Sequence, residues 1–150
     1  MTCSDRDYQK SRVYAWESKV VGPRCPRGIK FEDAQTFVDG IFLCEGLVGA
    51  PKIVPLPKQN KKALADATRA EIRIKETVPA WVLIHELAHT LTYTHDGRCD
   101  HHGPDFMGTY LRLLDKYMGL SLLLTMYSLK EWNIKFNLVA QPYITDRKAS

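Results

Sequence analysis

The sequence predicts an α+β fold that is mainly helical, with a small β-sheet placed before the helix that carries the chemistry. Three observations predict it. Apolar residues recur at helical spacing in five separate stretches. Short extended stretches fall only between residues 52 and 75. His85-Glu86-Leu87-Ala88-His89 lies inside one of the helical stretches. A chain of 150 residues with 45% apolar content reads as one domain, 1–150, with enough apolar surface for a core.

Asp7 to Val21 reads as the first helix, with Val13, Trp16 and Val20 on one face. Val21 to Lys30 holds two prolines and two glycines and reads as a loop. Phe31 to Glu45 is a second helix, because Ala34, Phe37, Val38, Ile41 and Phe42 follow the 3.6-residue period; Gly46 to Ala50 ends it. Lys52 to Leu56 is extended, and Pro55 and Pro57 push it to a sheet edge. Gln59 to Thr68 holds either a turn or a third strand. Ala70 to Lys75 alternates, with Ile72 and Ile74 on one face and Glu71, Arg73 and Lys75 on the other. The helix with the two histidines comes next, with Thr77 near its cap and Pro79 in its first turn. Thr94 to His102 is a loop. Pro104 to Met118 is a helix with Phe106, Tyr110, Leu113, Leu114 and Tyr117 along one face. A last helix spans about Leu120 to Trp132, and the residues from Asn137 onward read as a loose tail.

His85-Glu86-Leu87-Ala88-His89 spells H-E-x-x-H, a zinc-hydrolase pattern. Residues four apart on a helix share a face, with Cβ atoms about 5–6 Å apart. Two imidazoles so placed can share one Zn2+ at about 2.0–2.1 Å. Glu86, one step after the first histidine, is then beside the metal as the base. Random placement of five His and seven Glu would give this pattern roughly 0.008 times in such a chain. Trp81, Ile84, Leu87, Ala88 and Leu91 supply an apolar stripe that would bury and stiffen the helix. The competing reading is a core helix with two incidental histidines.

A catalytic zinc usually takes three protein ligands. His95, His101 and His102 follow the helix. His95 is six residues after His89, where H-E-x-x-H-x-x-G-x-x-H places its third histidine, but Thr92 stands where that pattern has glycine. His102 ranks first. It precedes Gly103-Pro104, a turn and helix start, and a helix N-terminus favours the neutral, metal-ligating imidazole. His101 is adjacent and competes with it. Asp105 reads as a helix-start residue rather than a ligand.

H-E-x-x-H followed some dozen residues later by His102-Gly103-Pro104-Asp105-Phe106 resembles the SprT-like branch of zincin peptidases, which includes the Spartan proteases. The resemblance implies His85, His89 and His102 as zinc ligands and Glu86 as base, in a zincin-like core. The chain departs from that branch in having no Cys-rich zinc ribbon after the helix. A second resemblance, to small bacterial and phage-encoded metallohydrolases, rests on Asp7-Tyr8-Gln9-Lys10-Ser11-Arg12-Val13-Tyr14-Ala15. It continues from His102-Gly103-Pro104 through Leu111, Leu114, Tyr117, Met118 and Gly119. In zincins the sheet edge nearest the metal can hold an extended peptide by strand addition. That implies a cleft lined by the Ala70–Lys75 strand or its neighbour.

No segment reaches 18 uninterrupted apolar residues, and the N-terminus has no apolar run of a secretory signal, so a cytoplasmic protein without membrane contact is expected, or a virion-associated one if phage-encoded. Cys3, Cys25, Cys44 and Cys99 form no C-x-x-C pair and read as reduced thiols, with Cys99 near the metal loop. The net charge of +4 permits contact with nucleic acid without arguing for it. The expected activity is zinc-dependent hydrolysis of a protein or peptide substrate. Glu86 would take a proton from the attacking water and pass it to the leaving amine. Tyr93, His95, Arg98, His101 and Tyr110 are all near enough in sequence to assist the oxyanion. The alternatives are a non-catalytic zinc-binding structural or interaction protein, one of a phage particle if phage-encoded, and a SprT-like protease acting on DNA-bound proteins.

Overall fold

Val13 and Trp16 are fully buried on α1 (Lys10–Trp16) in the computed structural model, which describes residues 6–59 and 63–143. The helix does not continue regularly to Val21 as its periodicity suggests. After Trp16 it widens into a π turn, Glu17–Val21, then tightens into a 3₁₀ turn, Gly22–Arg24. Val20 is therefore only half-buried and Val21 takes the inward place, while Glu17 is turned into the core.

The stretch read as a loop up to Lys30 ends in a strand, β1 (Gly28–Lys30). It pairs antiparallel with β5 (Thr77–Pro79), with Ile29 opposite Val78. Helix α2 (Phe31–Cys44) buries Ala34, Val38, Ile41 and Phe42, as its period requires. A second sheet contains β2 (Lys52–Pro55), β3 (Ala65–Ala67) and β4 (Glu71–Ile74) in the order β2-β4-β3. Pro-flanked β2 is at an edge, parallel to β4; β4 is central, with Ile72 and Ile74 buried; β3 is the other edge, antiparallel to β4. The third strand left open between 59 and 68 is β3.

Helix α3 (Ala80–Leu91) leaves β5 directly. Thr77 belongs to the strand rather than to the cap, Pro79 holds the cap position, and Ala80 N–H donates to Arg27 O at 2.9 Å. The β1–β5 pair thus fixes where α3 begins. Val82, Leu83, Ile84, Leu87, Ala88 and Leu91 are all buried, so α3 is enclosed nearly all round, more than a one-sided stripe implies. It packs on α4 (Pro104–Met118), which buries Phe106, Met107, Tyr110, Leu111, Leu113 and Leu114, and α5 (Leu122–Glu131) follows.

The tail is not loose as far as residue 143. Asn137 N–H donates to Pro104 O, Tyr143 N–H donates to Leu91 O, and Asp105 accepts from both Asn137 Nδ2 (3.0 Å) and the Tyr143 hydroxyl (2.7 Å). A Cβ on Gly108 would lie 1.7 Å from Asn137 O, so only glycine lets the tail lie this close to α4. Residues 144–150 lie outside the described residues. The reading of every cysteine as a reduced thiol is corrected for Cys99, which is disulfide-bonded; Cys25 and Cys44 are free. Among the described residues no helix is long and apolar enough to cross a membrane.

Candidate metal centre

Helix geometry places His85 and His89 on one side of α3, facing the N-terminus of α4. The chain between them folds so that His102 returns and His95 does not. α3 ends at Leu91, where Thr92 N–H and Oγ1 both bond back to the Ala88 carbonyl. A short turn follows. Thr94 N–H donates to Arg98 O at 2.8 Å, Gly97 takes a left-handed φ of 92°, and Tyr93 bridges to Cys99. His95 is exposed on this turn and is not among the rings that converge.

The chain then doubles back. Asp100 N–H donates to Thr92 O, and the Asp100 carboxylate accepts the Phe106 N–H at 2.9 Å, capping α4 from outside. A Cβ on Gly103 would sit 2.6 Å from that carboxylate, so glycine in His-Gly-Pro leaves room for the cap, and Pro104 starts the helix. His101 adopts φ 54°, and its Nε2 has no hydrogen-bond partner among the described residues; the next residue, His102, is the one whose ring turns inward.

His85, His89 and His102 converge through their Nε2 atoms. His89 and His102 are 3.2 Å apart there, His102 and His85 3.3 Å. Ligand atoms from all three lie within 4.8 Å of one another, close enough to bind a metal ion. Bonds of 2.0–2.1 Å at tetrahedral angles would separate ligand nitrogens by about 3.3–3.4 Å, which both measured separations approach.

Two of the rings are oriented from behind by carboxylates that the sequence reading did not single out. His85 Nδ1–H donates to Glu17 Oε2, and His102 Nδ1–H donates to Asp7 Oδ2 at 2.6 Å. With the protons held on Nδ1, both Nε2 atoms present lone pairs to each other. A metal ion between them would be held by both lone pairs, so the donor set fits one. His89 is oriented differently, by stacking on Phe106 with ring centroids 4.3 Å apart.

Glu17 also accepts from the buried Tyr110 hydroxyl at 2.7 Å. Tyr110 is thus committed inside the core and is removed from the candidates for assisting the oxyanion. Asp7 further accepts the His102 backbone N–H at 3.3 Å. Gln9 ties the same segment down, donating to His102 O (2.8 Å) and Lys135 O (3.1 Å) and accepting Lys135 N–H (2.6 Å). Glu17 had a signal in the sequence. It lies four residues from Val13 and four from Val21, so a charge sits on an apolar face. Asp7 stood only within the Asp7–Ala15 stretch of the second resemblance, with nothing local to mark its role, since its partner is 95 residues away.

Burial disfavours the charged form of all three imidazoles. For His85 the Glu17 carboxylate, with Glu86 and Asp7, outweighs burial and its pKa rises. For His89, burial and the neighbouring histidines push the pKa well below the usual value; for His102, burial and His85 lower it despite Asp7. The centre therefore favours neutral nitrogen donors at two of its three corners. Glu86 is buried beside them, and among the described residues its carboxylate has no hydrogen-bond or ion-pair partner. Burial raises its pKa to about 7, opposed by His85 and helped by Asp66 and Glu17.

The centre opens to solvent through a cleft of about 340 Å3. Its walls include Glu86, Tyr14, Lys10, Tyr93, His101 and the β3 strand Ala65–Ala67. Tyr14, half-exposed and given no role of its own in the sequence reading, has its ring centroid 5.1 Å from that of His102 and 6.2 Å from that of His85. Cys99 also reaches the cleft wall, but as a disulfide it offers no thiolate to a metal. No family model, no curated protein and no solved structure matches the chain.

Proposed function

We propose that the chain is a zinc-dependent hydrolase that cleaves peptide bonds, with His85, His89 and His102 holding the metal and Glu86 acting as base. The approach of His102 Nε2 to 3.2–3.3 Å from those of His89 and His85, beside a buried carboxylate unpartnered among the described residues, carries this reading. A donor set made only of imidazoles suits zinc better than magnesium or calcium, which prefer oxygen. Zinc, when bound, supplies Lewis acidity and brings the pKa of water to about 7.

Everything else falls to the chain's own residues. Glu86 takes the proton of the attacking water and returns it to the leaving amine. Glu17 and Asp7 keep the Nδ1 protons in place, so His85 and His102 stay in the ligating tautomer. β3 is an edge strand, and its residues line the cleft next to His85, Glu86 and His89. An extended peptide can pair with such an edge, which favours a peptide over a small ester as substrate. On this reading the cleft strand is β3, the neighbour of the Ala70–Lys75 strand, and the core is zincin-like in arrangement.

The deciding experiment is hydrolysis of a generic unfolded protein before and after metal removal. Turnover is expected to stop with a chelator and to return on adding zinc alone. A zinc-loaded protein that never cleaves would leave the non-catalytic zinc-binding reading in its place.

Glu17→Gln keeps an acceptor but loses the negative charge that Glu17 Oε2 presents to both His85 and Tyr110. Zinc affinity is expected to fall about 10- to 100-fold, read by competition with a chromophoric chelator. An unchanged affinity would remove Glu17 from the centre.

A further inference from the structure

The metal cleft runs on into a second groove of about 690 Å3, and the two share Asp7, Cys99 and His101 as walls. Arg6, Arg12 and Lys135 line this groove, and Lys10 stands at its junction with the cleft. All four are exposed, and none forms an ion pair among the described residues. Arg6 lies over the Tyr8 ring at 5.3 Å, which steadies its guanidinium at the groove.

The two carboxylates of the groove, Asp7 and Asp100, offset only part of the charge of these four cations. Asp7 is committed to His102, and Asp100 to the N-terminus of α4. Among the described residues a wall of net positive charge thus begins beside the metal site and leads away from it. A substrate seated across the centre must pass one way or the other, and this way it meets net positive charge.

We infer that the groove is a subsite for acidic side chains of the peptide substrate, so that the protein selects Asp- or Glu-bearing segments on one side of the cleaved bond. This rests on the metallopeptidase reading for its chemistry but not for its binding. A single-stranded nucleic acid would use the same cations. It would also want a row of stacking aromatics, whereas among the described residues only Tyr8 and the His101 ring line the groove.

The test is binding to the zinc-loaded Glu86→Gln protein, so that nothing is consumed. The probes are a short fluorescent unstructured peptide with Glu at alternate positions and its Gln counterpart. The Glu peptide is expected to bind about tenfold more tightly, and the advantage should shrink as salt rises. Arg6→Glu combined with Arg12→Glu should abolish or invert the preference while zinc affinity stays the same. These side chains are exposed, so folding is not at stake. Equal binding of the two peptides, or a preference that survives the charge reversal, overturns the assignment. So does a single-stranded oligonucleotide that binds more tightly than the Glu peptide and loses binding in the same variant. Turnover of a neutral unfolded protein by the unaltered chain is scored separately. Absent cleavage with an intact Glu preference defeats the peptidase reading and leaves the subsite standing.

Discussion

His102→Ala is expected to leave the protein without its metal, whereas His95→Ala and His101→Ala keep it. The three are neighbours in sequence but not in role. His95 is exposed on the turn closed by the Thr94 and Arg98 backbones. His101 flanks the cleft with a left-handed φ of 54° and is not among the three rings that converge. His102 alone brings its Nε2 to within 3.2–3.3 Å of both other ligands and has its Nδ1 proton fixed by Asp7. Removing it deletes one of three donors and leaves the Asp7 carboxylate half-buried without the ring it holds. The loss should exceed the roughly 10- to 100-fold that follows when only a group behind a ligand is changed. Zinc content by mass spectrometry after dialysis reads the result. Metal retained by His102→Ala and lost by His95→Ala would put the third ligand on the turn instead.

Why His102 was legible in the sequence is a matter of local physics. His102-Gly103-Pro104 has to stop one conformation and start another, and α4 begins at Pro104, the residue the sequence indicates. The two histidines of α3 were legible for the same reason, because a spacing of four decides a helix face without any tertiary knowledge. α2 and β4 were also readable, one by its 3.6-residue period and the other by strict alternation.

What stayed hidden depends on contacts between distant parts of the chain. β1 and β5 are three residues each, too short to show a period, and each exists because the other is present. The π turn after Trp16 shifts the inward register by one residue, so Val21 rather than Val20 enters the core. No propensity marks such a turn; it is held by what Glu17 reaches, namely His85 and Tyr110. The docked tail was missed because its anchors are Asp105, read as a helix-start residue, and Gly108, which shows as a gap only when Asn137 lies against it. The stretch from Asp7 to Ala15 was singled out as a whole. Asp7, Gln9 and Tyr14 within it are the residues that hold His102 or wall the cleft, while Val13 is core.

Glu86→Gln should cut turnover about 10²- to 10⁴-fold and leave zinc in place. The two side chains are nearly the same size, and the imidazoles do not hydrogen-bond to Glu86, so the ligand set is undisturbed. What the amide cannot do is accept the proton of water and hand it on. A second readout follows from burial. In the metal-free protein Glu86 has a pKa raised to about 7, so its ionised form is less stable folded than unfolded. The unfolded chain releases this proton near the ordinary carboxylate value, so the penalty is absent below that value, grows between it and about 7, and is complete above. Glu86→Gln should therefore raise the melting temperature of the metal-free protein at pH 8 and change it little at pH 4. A residue that weakens the fold where it is charged is expected of a base and not of a core side chain. Near-normal turnover in Glu86→Gln on a verified substrate would remove Glu86 from the chemistry, even with all three histidines on the metal.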